Sequence, residues 1–213
     1  MAGVTGELPE IDPPGDDPAL DDLLVNVRAC RICEGALPLG PRPVVRMAAG
    51  AKILVIGQAP GTRVHETGLP WNDASGDRLR DWLQMTVEDF YDPAKLAIMP
   101  MGFCYPGRFE RGGDLPPRPE CAPTWHDELL RHLPDIGLTL LIGQYAQERY
   151  LGPRRAKSMT ETVHRFDEYL PDGLLPMPHP SWRNTGWIKK NPWFEADLLP
   201  FLRDRVHRLL GTN

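Results

Sequence analysis

The chain has no apolar run of membrane-spanning length, no internal repeat, no dinucleotide fingerprint and no G-x-x-x-x-G-K-S/T phosphate loop. These absences argue against a helical membrane span, a repeat architecture and the two commonest nucleotide-binding turns. It also lacks surplus positive charge: 24 Lys and Arg stand against 29 Asp and Glu, a formal net charge of −5. Global attraction to nucleic acid is therefore missing, and only a local patch can hold such a partner. Cysteine is scarce, with four in 213 residues.

What is present fits one α/β domain with a substantial core. Met1 to Leu20 is acidic and rich in Pro and Gly, and reads as a flexible N-terminal arm without a leader pattern. Residues 21–213 then form the folded domain. The expected location is cytoplasmic, where structural disulfides are rare. Basic residues gather late, at Arg154, Arg155 and Lys157, then at Arg183, Lys189 and Lys190. Taken alone, they fit an ordinary solvated face.

Hydrophobic patterning predicts four strands, at 51–56, 96–99, 138–142 and 174–177. Helices are expected over 77–83, capped by Ser75, and over 124–133, 146–151 and 193–210, with Pro200 kinking or dividing the last. Val163 to Leu170 has an ambiguous pattern compatible with a hairpin strand. Alternating strands and helices imply a single three-layer α/β/α domain with a central, mostly parallel four-stranded sheet. Ligands of such a sheet bind at the carboxyl ends of its strands. Gly57 to Gly61 (G-Q-A-P-G) and Pro178 to Ser181 (P-H-P-S) directly follow two of those strands.

Cys30 and Cys33 form a tight C-R-I-C pair, while Cys104 and Cys121 flank a segment full of Gly, Pro and Arg. Four thiolates suit either tetrahedral zinc or a [4Fe-4S] cluster, and composition does not separate the two. Inert buried cysteine is the bland alternative. A redox pair fits less well, because no βαβ unit frames it.

The run G-Q-A-P-G-T-R-V-H-E-T-G-L-P-W, Gly57 to Trp71, resembles the first motif of the family-4, iron–sulfur uracil-DNA glycosylases. Gly57, Pro60, Gly61, Gly68 and Pro70 match without a gap, and Gly76 matches a glycine further on. His179-Pro180-Ser181 is similar to the second motif, and the four cysteines resemble the cluster ligands in order. The resemblance implies a monofunctional hydrolase that flips uracil out of DNA and leaves an abasic site. Its partner would be uracil-containing or otherwise deaminated DNA, with no membrane, and the enzyme a monomer. The metal ligands would be Cys30, Cys33, Cys104 and Cys121, holding a structural [4Fe-4S] cluster, with zinc as the alternative.

The resemblance further implies that His179 donates toward the base carbonyl, with a satisfied structural histidine as the bland reading. Gly57, Ala59, Pro60 and Gly61 would line the base and sugar, with Trp71 as the stacking surface. Ser181, Trp182, Arg183, Asn184, Lys189 and Lys190 would meet DNA, aromatic and basic residues interleaved.

The chain departs from the family pattern where Gln58 replaces glutamate, which leaves Gln58, His65, Glu66 and Asp73 as candidates for positioning water. It departs again at Pro100, which stands where an asparagine amide reads the pyrimidine edge. Asn72, or the backbone of Met101, Gly102 and Phe103, would have to substitute. A catalytically weak binder of damaged or abasic DNA, a glycosylase for another deaminated base, and a small-molecule hydrolase on the same sheet remain open alternatives.

Overall fold

A computed structural model describes residues 17–211 of the chain. Its frame is four short strands, β1 Ile53–Ile56, β2 Leu96–Ile98, β3 Leu138–Ile142 and β4 Leu174–Met177. They pair in parallel in the order β2-β1-β3-β4. Ile53 lies opposite Leu96 on one side and Leu138 on the other. The four runs are almost wholly buried, as strands covered on both faces must be.

Side-chain alternation divides the core in two. A short helix, α2 (Thr62–Thr67), follows the turn after β1. Ile53, Val55, Ile98, Leu140 and Met177 face one layer, with α3 (Ala74–Leu83), α4 (Val87–Tyr91), α7 (Met159–His164), α8 (Thr185–Lys190) and α9 (Leu199–Leu210). Leu54, Ile56, Ala97 and Leu141 face the other, with α1 (Pro18–Arg28), α5 (Asp127–Arg131) and α6 (Gln144–Leu151). The expected three-layer architecture is the one observed. No helix among the described residues is long and apolar enough to cross a membrane.

Several local expectations are corrected. Residues 1–16 of the expected arm lie outside the described residues, but its last part begins α1. Asp17 accepts from the Ala19 and Leu20 amides, and Leu20, Leu23, Leu24 and Val27 bury one stripe. The cap of α3 is Asp73 rather than Ser75; its carboxylate accepts from Gly76 N. Residues 163–170 form no hairpin: Ser158 caps α7, and 3-10 turns carry the chain on to β4. The expected helix over 124–133 is a π-helical turn, Ala122–His126, running into α5. Pro200 does divide its segment, sitting at the start of α9 after a second π turn.

The strand order fixes the site. From β1 the chain goes to β2 on one side, then crosses to β3 on the other, so the loops after β1 and β3 diverge. Such a switch point opens a crevice at the carboxyl edge.

Candidate active site

That crevice is a cavity of about 380 Å³. Gly57, Gln58, Ala59, Pro60 and Gly61 line one wall; Trp71, Asp73 and Ser75 another; His179, Ser181, Arg183 and Asn184 a third. Val44, Ile98 and Pro100 make an apolar floor, and Asp114 stands at the mouth. A second cavity of about 190 Å³ adjoins it, sharing Gln58, His179 and Asn184 and reaching Gly143 and Gln144 after β3.

Trp71 lies against the β1 turn so closely that a Cβ on Gly57 would come within 2.9 Å of its indole. Its φ of +56° lies in the left-handed region, costly for a bulky residue and held only by its surroundings. Those surroundings are specific: a Cβ on Gly76 would fall 1.7 Å from the Trp71 carbonyl, so α3 packs directly on that peptide. Tyr91 donates its hydroxyl to the Pro70 carbonyl at 3.0 Å. The indole then meets the imidazole of His179, with ring centroids 5.5 Å apart and planes tilted 33°.

His179 is positioned through its backbone. Asn184 donates its amide to the His179 carbonyl at 2.7 Å, and Arg78 on α3 donates to the Ser181 carbonyl at 3.0 Å. Burial lowers the His179 pKa below the usual histidine value, while Asp73 and Asp114 pull it partly back. The ring is thus neutral at pH 7 and offers one N–H donor.

Gln58 donates its side-chain amide to the Leu115 carbonyl at 3.0 Å, a bond that also fixes which end of the amide is nitrogen. Behind it, Met101 N and Gly102 N donate to the carbonyls of Gly57 and Gln58. The Phe103 N–H faces the Cys121 sulfur. These three backbone donors are therefore spent on the fold, and none of Met101, Gly102 and Phe103 lines the cavity. Asn72, His65 and Glu66 also stand off its walls. The His65 ring packs 6.1 Å from Tyr105 with a buried Nδ1 that has no partner, and the Glu66 carbonyl accepts from Arg42.

Trp182, 73% exposed, projects from the rim with the Arg183 guanidinium 5.6 Å from its ring centre. Lys189 and Lys190 are exposed on α8. Across the mouth, Arg183 approaches the hairpin at Gly113, 3.6 Å from where a Cβ there would stand. That hairpin, which carries Asp114, was not among the expected site residues. The available signal was an aspartate directly after two glycines, in a segment with cysteines at both ends.

All four cysteines are free thiols and line one narrow slot of about 10 Å³. Burial pushes Cys104 up to about 11 and Cys121 up to about 12, and the neighbouring thiols add to it. No group of three or more His, Cys, Asp or Glu among the described residues is drawn together as ligands of a single ion. Trp125 lines the same slot, and its indole N–H is buried and without an acceptor. Four sulfurs around one slot suit a soft-metal group, whether a [4Fe-4S] cluster or tetrahedral zinc, and thiolates holding either would offer the Trp125 N–H an acceptor.

Compared with known families, residues 45–203 match the model of the uracil DNA glycosylase superfamily. That span holds all four strands, every residue of the cavity wall but Val44, and the hairpin at its mouth, and starts beyond Cys30 and Cys33. The chain belongs to the uracil DNA glycosylase superfamily.

Proposed function

We propose that this superfamily member is a monofunctional DNA glycosylase that hydrolyses the N-glycosidic bond of flipped-out uracil. The observation that carries the reading is the meeting of His179, Trp71 and the Gly57–Gly61 turn around one cavity at the strand ends. A cavity of about 380 Å³ accommodates a base with its sugar and little more.

The chemistry follows from the walls. The base enters along the indole of Trp71. As the C1′–N1 bond breaks, its electron pair leaves with the base. The neutral His179 donates a hydrogen bond to the carbonyl oxygen where negative charge gathers, a contact that strengthens in the transition state. Water adds to C1′, and its proton leaves to solvent. No lysine among the described residues lines the cavity, so no Schiff base forms and the strand stays intact.

Base choice rests on shape. Pro100, Ile98 and Val44 offer no side-chain polar reader to the pyrimidine edge, and size alone discriminates less than paired polar groups. The pocket therefore accepts other deaminated bases beside uracil. DNA is gripped by Trp182, Arg183, Lys189 and Lys190, with Phe109, Arg108 and Arg111 exposed on the opposite rim. The four cysteines hold a structural [4Fe-4S] cluster, tying the C-terminal end of α1 to the 105–120 segment.

The test is excision from oligonucleotides bearing U, hypoxanthine, xanthine or T, by wild type and His179→Ala. Release of free uracil by wild type, largely lost in the variant, supports the reading. Tight abasic-site binding without turnover would favour the damage-binder alternative, which the apolar floor at Pro100 motivates.

A further inference from the structure

A glycosidic hydrolase must hold its attacking water on the sugar face opposite the departing base. A carboxylate does this best, because it accepts the water's proton as the bond to C1′ forms. The strand ends supply none that is free. Residue 58 is a neutral amide whose nitrogen is committed to Leu115 O. Asp73, which also lines the cavity, is tied to the start of α3, one of its oxygens accepting from Gly76 N at 2.9 Å.

The hairpin between the third and fourth cysteines fills this gap. Leu115 N donates to Gly107 O and Phe109 N to Gly113 O, both at 2.9 Å, while Gly112 and Gly113 take the positive φ that the tight turn requires. This braced turn sets Asp114 at the mouth of the cavity. One carboxylate oxygen lies 4.0 Å from where a Cβ on Gly61 would stand. Arg108 Nε is 3.6 Å away, and the side chain keeps 45% of its surface open. Its charge also reaches His179 across the site.

Gln58 explains why the carboxylate sits there. Its amide latches the hairpin one residue beyond Asp114. A glutamate at 58 would set a negative oxygen against the Leu115 carbonyl and push the hairpin away. A carboxylate at the strand end and a latched hairpin are therefore mutually exclusive, and this chain has the second.

Resting on the glycosylase reading, we propose that Asp114 holds and deprotonates the attacking water, and that Gln58 is the positioning residue that delivers it. The C1′–N1 pair leaves with the base, the water oxygen bonds C1′, and its proton passes to Asp114 and then to solvent. The departed base takes a proton from solvent.

Single-turnover excision and affinity for a duplex carrying a tetrahydrofuran abasic analogue, measured on one set of proteins, test the assignment. Asp114→Asn is expected to slow excision about 100-fold or more while abasic affinity stays within about threefold. Gln58→Glu is expected to slow excision about tenfold, and the double variant to be no slower than Asp114→Asn, because the latch acts only through Asp114. Wild-type excision by Asp114→Asn overturns the assignment and leaves the glycosylase reading standing. Parallel loss of rate and abasic affinity overturns it too, making Asp114 a prop for the loop. Fully additive losses in the double variant overturn the latch. A wild type that binds the abasic duplex yet releases no base overturns both readings.

Discussion

Two histidines near the strand ends show how the same side chain is used in opposite ways. His126, beneath the end of β2, is fully buried, with Nδ1 2.7 Å from the Tyr150 hydroxyl and Nε2 3.1 Å from the Pro100 carbonyl. Its ring stacks on Phe103 at 5.5 Å. The carbonyl can only accept, so Nε2 carries the proton, Nδ1 accepts from Tyr150, and every bonding capacity of the neutral ring is met. His179 is also held neutral by burial, but its ring faces a cavity and an indole, with no protein hydrogen bond to it among the described residues. Satisfied polarity under the floor is architecture. Unsatisfied polarity aimed at a cavity is available for chemistry.

Substitutions should separate the two. His179→Ala is expected to lower the excision rate about 10²–10³-fold, the usual loss for one transition-state donor, with little change in melting temperature. Rate and stability falling together would erase the distinction. His126→Ala should do the reverse: roughly 3 kcal/mol of stability lost in urea titration, from a cavity plus a stranded Tyr150 hydroxyl, with activity per folded molecule nearly intact.

Acid sharpens the contrast. Burial depresses the His126 pKa from its ordinary 6.5 to about 4. A histidine depressed in the folded state favours folding fully above the unfolded value, and that contribution disappears as pH falls toward the folded value. Wild type should lose roughly 3 kcal/mol between about pH 6.5 and pH 4, measured by urea unfolding, and the loss should be smaller in His126→Asn. Equal slopes in both proteins would remove His126 as the cause. The smallest effect belongs to the rim: Trp182→Ala should leave stability unchanged and weaken DNA binding by about 1–3 kcal/mol, the usual worth of one stacked base.

The same divide governs what could be read from the sequence. The four strands and their parallel arrangement were legible because short apolar runs stopped by Gly or Pro and alternating with helical segments leave few other structures. The cavity's main walls were legible through the Gly57–Gly61 and His179 motifs, whose glycines and prolines mark turns at strand ends. Helix α1 was not read, although Leu20, Leu23, Leu24 and Val27 have helical spacing, because the acidic Pro- and Gly-rich composition around it suggested an arm. Asp73 as cap and Asp114 as cavity residue depend on where loops return. Asp114 reaches the site on a hairpin whose Leu115 carbonyl meets Gln58, an encounter 57 residues apart in the chain. Pattern within a window cannot encode such a contact; the crossover topology creates it.

The central claim is that the imidazole of His179 and the turn after β1 act together on one extruded base. It is tested most directly by counting free uracil released from a uracil-containing duplex in a single turnover, with strand integrity read on the same gel. The account predicts stoichiometric uracil, an uncut strand until alkali is added, and near-complete loss of release in His179→Ala. Release by the variant at the wild-type rate, or none by wild type from any deaminated base, would contradict it.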